Sequence, residues 1–247
     1  MYYRIRREAL LQFFGNLNKI VSECVLTITE DGFDALHVDT ANVAMMHCAM
    51  TPVGFDIIPE MGDPEGVNIY GKYGIDVDKI IKFLKVFSGD VEFRIADNMV
   101  YLQSDQKVFS MRLLDVASIK QVSKIPEIDF KSDVEIEGSD LVESLKSAGI
   151  VSEKVRFEID PDVGQFRVIA KGDEIFKNVI PTSAISGVYA NALFSLDYLV
   201  EVGKAIATAN RVKVKLNSDH PLWIEFSHDN FGVETVYMLA PRIEAED

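Results

Sequence analysis

Three lysines spaced three residues apart, Lys79, Lys82 and Lys85, are the clearest chemical feature of this 247-residue sequence. On a helix over about 76–88 they share one arc with no acid among them, while Ile80, Ile81, Phe83, Leu84 and Phe87 take the opposite side. Ammonium groups in such a row neutralise phosphates without reading base sequence. Bond-making chemistry has no comparable signal. His37, His47, His220 and His228 lack metal-ligand spacing, no Gly-rich phosphate loop precedes a helix, and neither a Gly-x-Ser-x-Gly nor a Ser-x-x-Lys motif occurs. The Asp160-Pro161-Asp162 turn lacks the length and glycine placement of a calcium loop. The expectation is a binding protein with no catalytic residue, metal or cofactor.

Four segments have the apolar period of a helix and could position such residues: about 8–22, 76–88, 139–148 and 196–209. The first buries Leu10, Phe13, Phe14, Leu17, Ile20 and Val21 and turns Gln12, Gly15, Asn16, Asn18 and Lys19 outward, a polar face free of carboxylates. The fourth sets Lys204, Thr208 and Arg211 away from Tyr198, Leu199, Val202 and Ile206, with Glu201 intruding; the third offers Lys146 beside Asp140 and Glu143. One such face alone reads equally well as an ordinary solvated helix exterior. Two faces thinned of acids stand out because the chain carries 39 acidic against 25 basic residues, a net charge of −14. That balance argues against binding nucleic acid on an open surface.

The chain also repeats itself. Ile20-Val21-Ser22-Glu23 recurs as Ile150-Val151-Ser152-Glu153, and Val91-Glu92-Phe93-Arg94-Ile95 is echoed by Val212-Lys213-Val214-Lys215-Leu216. Duplication over half a chain means two similar domains rather than a solenoid. Alternation over 25–29, 33–38, 43–49, 66–70, 91–95, 100–103 and 108–113 predicts strands, and strand runs followed by single helices indicate an antiparallel α+β fold with two helices per domain. Domains over 1–117 and 134–247 would be joined by an extended connector, Ser118–Asp133, with spaced apolar residues Ile119, Val122, Ile125, Ile128 and Phe130. The N-terminus shows neither a long apolar core nor a cleavage site, which predicts an intracellular protein. Cys24 and Cys48 lie in apolar runs and read as buried free thiols.

Several runs resemble the DNA sliding clamps of the proliferating cell nuclear antigen family, of the archaeal type. They are Asp31-Gly32 with Leu36 and Asp39-Thr40-Ala41-Asn42-Val43-Ala44-Met45, Leu113-Leu114-Asp115-Val116, Ile125-Pro126-Glu127, Pro221-Leu222-Trp223-Ile224-Glu225-Phe226 and Tyr237-Met238-Leu239-Ala240-Pro241-Arg242-Ile243-Glu244. The resemblance spans the chain and implies a closed ring of three subunits, with sheets outside and helices lining a channel around double-stranded DNA. A ring stays on DNA by topology, so its channel need only avoid repelling phosphate. Lys79, Lys82, Lys85, Lys204, Arg211, Lys146 and Lys19 are then the channel residues. The family often carries several lysines on the first helix where this chain has Leu11, Gln12 and Asn18.

The same resemblance implies a pocket for a short Gln-x-x-aliphatic-x-x-aromatic-aromatic motif, formed by Val43, Met45, Ile125, Pro126, Pro221, Met238, Ala240 and Pro241. Through it the clamp would hold DNA polymerase, the clamp loader, flap endonuclease and ligase. Asn42 stands where the family usually has His, and Met238 where it often has Tyr. Subunits would meet through strands 108–113 and 175–180, with Val108, Phe109, Met111, Ile175, Phe176, Lys177 and Val179 at the contact. The location implied is cytoplasmic and nucleoid-associated in an archaeon, nuclear in a eukaryote. Two alternatives remain open on the sequence: a subunit of a heteromeric clamp, and an acidic protein-binding module that does not encircle DNA.

Overall fold

The computed structural model describes residues 3–57 and 70–243. Its backbone separates into two compact units, Met1–Thr40 with Met46–Ile125 and His228–Thr235, and Ala41–Met45 with Pro126–Ser227 and Val236–Asp247. The division at Ile125 and Pro126 falls inside the expected connector.

The first unit contains β1 (Tyr3–Ile5), α1 (Arg7–Leu17), β2 (Glu23–Thr29), β3 (Gly32–Val38), β4 (Ala44–Met50), β5 (Phe55–Ile57), β6 (Gly71–Asp76), α2 (Val77–Val86), β7 (Val91–Ala96), β8 (Met99–Ser104) and β9 (Lys107–Arg112), with the start of β4 assigned to the second unit. Its sheets run β5-β1-β7-β8-β9 and β4-β3-β2-β6, and the pairings are antiparallel, as in Phe93↔Leu102 and Thr27↔Asp34. Alternate residues point inward, so Phe33 and Phe93 are fully buried with their ring centroids 5.2 Å apart.

The second unit repeats this order: β10 (Ser132–Ile136), α3 (Gly138–Ala148), β11 (Lys154–Asp160), β12 (Gln165–Lys171), β13 (Ile175–Ile180), β14 (Thr182–Gly187), β15 (Ala190–Ser195), α4 (Leu196–Ile206), β16 (Arg211–Leu216), β17 (Leu222–His228) and β18 (Val233–Leu239). The strand orders β14-β10-β16-β17-β18 and β13-β12-β11-β15 match those of the first unit strand for strand. The sequence echoes therefore mark equivalent places, since 20–23 leads into β2 as 150–153 leads into β11, and β7 corresponds to β16.

Three of the four helices end earlier than their periodicity predicts, while α3 ends at Ala148 as expected. α1 stops at Leu17 because the chain turns at Asn18–Ile20, where Asn18 Nδ2 donates to the Val21 carbonyl, so Ile20 and Val21 lie outside the helix. α4 stops at Ile206, and Thr208 turns its hydroxyl back on the Ala205 carbonyl. Asp76 caps α2 by accepting from the Lys79 amide at 2.9 Å. The predicted runs match β2, β3, β4, β7, β8 and β9 of the first unit, whereas β1, β5 and β6 have no counterpart among them. Residues 66–69 of the predicted strand 66–70 lie outside the described residues, and Tyr70 precedes β6. The connector opens with a short turn, Val116–Ser118, is irregular over 119–131, and enters β10 at Ser132.

Cys24 and Cys48 are free, buried thiols; burial pushes Cys48 up to about 12 and Cys24 higher still. Among the described residues no helix is long and apolar enough to cross a membrane, and no cluster of three metal-ligating side chains occurs.

Candidate functional site

The helices pack in pairs, α1 on α2 and α3 on α4. Within the first unit, Arg7 Nε donates to the Leu84 carbonyl at 2.8 Å and Asn18 Nδ2 to Asp78 at 2.8 Å, which fixes α2 beside α1. Val77, Ile80 and Leu84 are buried, leaving Lys79, Lys82 and Lys85 exposed. Lys79 is held by Asp76 at 2.9 Å. Burial works to raise the Asp76 pKa, but the hydrogen bonds from the Lys79 side chain and amide, with the Lys79 and Lys82 charges, outweigh it and hold the carboxyl below its ordinary value. Among the described residues neither Lys82 nor Lys85 is ion-paired.

Three sequence expectations change here. Asn16 belongs to the core rather than a polar face, being 1% exposed and donating to Thr235 Oγ1 at 3.0 Å. Lys19 follows α1 in the turn and is half-buried, and Arg211 opens β16 rather than extending α4. Lys204 is bound to Glu201 at 2.6 Å, so that face carries little net charge, and Lys146 is exposed at the end of α3.

Seven of the eight pocket residues fall in the second unit, and Ile125 is the last residue of the first. The Ala240 amide donates to the Val43 carbonyl at 2.9 Å, which sets Val43 and Met45 alongside Met238, Ala240 and Pro241. Met238 is buried, Pro126 is exposed, and the others are half-buried. The connector is fixed by residues that the motif does not include. Asn217 accepts from the Lys131 amide at 2.7 Å and donates to the Asp129 carbonyl at 3.0 Å, and Phe130 packs on Trp223 with centroids 5.6 Å apart. In the sequence, Asn217-Ser218-Asp219 reads only as a turn, because a clamp made by one amide side chain leaves no periodic trace.

The beginning of the connector is held by the first unit. Lys120 Nζ donates to the Asp39 carbonyl at 3.2 Å, and the His37 ring hydrogen-bonds to the Lys120 backbone. His37 is 2% exposed, and its Nε2 lies 2.9 Å from the Val25 amide nitrogen and 3.3 Å from the Val25 carbonyl oxygen. Burial holds the imidazole pKa below its ordinary value, against its backbone hydrogen bonds. A base with a lowered folded pKa contributes stability that is fully present above the unfolded pKa of ~6.5 and is lost as pH falls toward the folded value. His37→Gln is therefore expected to lower Tm less than the parent chain does on going from about pH 7.5 to about pH 5.5. Equal losses in differential scanning calorimetry would show that His37 has no part in the acid response.

β9 and β13 are edge strands. Each has one hydrogen-bonded neighbour among the described residues, β8 and β12. On β9 Val108 is 58% exposed, but Phe109 stacks on Phe83 at 4.5 Å and Met111 is 7% exposed. The open side of β9 is thus Val108, Ser110 and Arg112, and Met111 is core, because successive residues point to opposite faces. On β13 Ile175, Lys177 and Val179 are exposed, whereas Phe176 is half-buried and Asn178 donates to Ser144 of α3 at 2.7 Å. Their counterparts in the duplication are not open. In the first unit β4, the equivalent of β13, is flanked by 232–235 through Thr51 N–H to Gly232 O at 2.9 Å; in the second unit the end of β18, the equivalent of β9, is flanked at Val43.

The chain is thus a duplicated α+β fold in which β9 and β13 each have one hydrogen-bonded neighbour among the described residues. The family model for the proliferating cell nuclear antigen C-terminal domain matches residues 124–242. The DNA polymerase sliding clamp of Methanoregula boonei is 32% identical, covering 98% of both chains, and that of Methanosphaerula palustris is 35% identical, covering 92% of both. This chain belongs to the DNA polymerase sliding clamp family. The fold agrees with two solved structures. A. fulgidus PCNA, determined with the C-terminal region of FEN-1 bound, superposes with a TM-score of 0.90 at 24% identity over 100% of both chains. PCNA from Thermococcus kodakaraensis gives 0.84 at 19% identity over 97% of this chain and all of the other.

Proposed function

We propose that three copies of this chain close head to tail into a ring that encircles duplex DNA, and that the ring tethers polymerase and other replication proteins through the apolar pocket. The open edges β9 and β13 carry the proposal, since the duplication supplies a neighbour to each of their counterparts and leaves these two for another copy. Charge favours the pairing. Lys107 and Arg112 lie on β9; Asp173 and Glu174 precede β13, with Asp140 and Glu143 on the helix that contacts it. Copies joined this way carry three times −14, or −42 in all, so the ring holds DNA by topology and the lysines only relieve repulsion.

Retention on DNA distinguishes this reading from an acidic binding module. Once loaded, the protein should stay on closed circular DNA and be lost when the circle is cut; equal loss from both forms would exclude encirclement. Lys82→Glu with Lys85→Glu should reduce polymerase stimulation roughly 10-fold, by replacing attraction with repulsion near the phosphates, while native mass is unchanged. Unchanged stimulation would remove these lysines from the channel, and a fall in mass would place them at the subunit edge.

The pocket residues supply the apolar surface that buries an aliphatic or aromatic anchor. A structural relative was determined with the C-terminal region of FEN-1 bound, and a motif-bearing segment of a flap endonuclease, polymerase or ligase is the ligand proposed for this chain.

A further inference from the structure

A groove of about 620 Å³ lies wholly within the second unit, between connector residues 127–131, the loop 188–190 and the turn 217–220. It adjoins the peptide pocket in sequence at two places, Pro126–Glu127 and His220–Pro221, yet none of the eight pocket residues lines it.

Its walls are fixed in place. Gly187 has φ +102°, and a Cβ there would lie 1.9 Å from the Lys131 carbonyl, so the loop can approach the connector this closely only with glycine. The next residue is held at both backbone groups, since Ser132 Oγ donates to the Val188 carbonyl and accepts from its amide. On the other wall, Asn191 accepts from Asp219 N–H at 3.0 Å and donates its amide to Ser218 Oγ. The connector side is clamped by Asn217, as described above.

These walls combine an apolar strip with the carboxylates of Glu127 and Asp129, and Lys131, Asn217 and His220 also line the groove. Val188 is 59% and Tyr189 48% exposed, with half-buried Ile128 on the connector side. Glu127 is exposed and, among the described residues, not ion-paired; Asp129 pairs with Lys131. An exposed aliphatic and aromatic pair beside an unneutralised carboxylate suits a side chain with an apolar stem and a cationic head.

We propose that this groove is a second docking site, taken by a basic, extended segment of the same partner whose anchor fills the peptide pocket. The inference rests on the peptide-docking reading of that pocket. It assigns Glu127 as the contact for a lysine or arginine head, and Tyr189 with Val188 as the surface for its stem. Linking two weak contacts raises affinity because the second forms at high effective concentration.

The test uses the full-length protein and two probes. An anchor peptide extended by a Lys-Leu-Arg-Lys segment, on either end, should bind the parent chain about 10-fold more tightly than the anchor alone for one of the two placements. Glu127→Lys or Tyr189→Ala should remove that gain while leaving the anchor peptide's affinity unchanged. A gain that survives both substitutions would be general attraction to a chain of charge −14, and would overturn the proposal. The basic segment alone, at millimolar concentration, should shift the NMR signals of the Tyr189 and Asn217 amides. No shift would overturn the groove even if the anchor binds. Shifts without anchor binding would overturn the pocket reading and leave the groove standing.

Discussion

Ile175→Lys combined with Val179→Lys is expected to reduce the native mass from 82.8 kDa, three times the 27.6 kDa chain, to that of a single chain. Both side chains point away from their own unit, at 71% and 45% exposure, so the substitutions leave its core intact. An Ile or Val buried at the contact contributes about 1.5–3 kcal/mol, and two are lost. The new ammonium groups also flank Lys177 and would face Lys107 and Arg112 of the next copy, and like charges set opposite across strands destabilise the pairing. Together these weaken each junction by at least about 100-fold, enough to open a ring held by three of them. Adding Lys107→Glu and Arg112→Glu to the same chain should restore the trimer, a rescue that damage to folding could not produce. Light scattering on a sizing column reads both results. A mass that stays at 82.8 kDa in the lysine variant would exclude β13 as the subunit edge. A parent chain that runs as a monomer would instead indicate a heteromeric ring needing other subunits.

Ile125→Arg should lower affinity for a motif-bearing peptide roughly 100-fold or more, because a guanidinium then occupies the place of an apolar anchor contact. Ile125 is half-buried and ends the first unit, where the connector is irregular, so the longer side chain can be accommodated without breaking a hydrogen-bonded ladder. Native mass should stay unchanged, since neither β9 nor β13 is touched. Fluorescence anisotropy with a labelled peptide measures the loss. Binding that survives the substitution would refute the pocket as located, and a simultaneous loss of mass would show that the connector supports the ring itself.

Much of this protein was legible in its sequence because it depends on local periodicity. The amphipathic helices, the lysine row on α2 and the antiparallel α+β class follow from periods of 2 and 3.6 residues, and the duplication from the identical runs at 20–23 and 150–153. Family resemblance added the expectation of a peptide pocket beside the connector, since runs such as Ile125-Pro126-Glu127 and Met238-Leu239-Ala240-Pro241 hold their order along the chain. Burial by distant segments could not be read this way. Asn16 looks like a solvated helix residue until Thr235, 219 positions away, receives its hydrogen bond. Met111 and Phe109 lie in a strand whose two faces only the fold distinguishes, one against α2 and one open. The ion pairs of Lys79 with Asp76 and of Lys204 with Glu201 span only three residues each, so helical spacing already brings those partners within reach. Helix ends were missed because the turns after Leu17 and Ile206 are decided by single side-chain hydrogen bonds and by the strands that follow. The sequence alone thus determined which elements form and which residues are apolar or charged. Tertiary structure decided which polar side chains are buried and which strand edges remain open, because both depend on neighbours that are close in space and far apart along the chain.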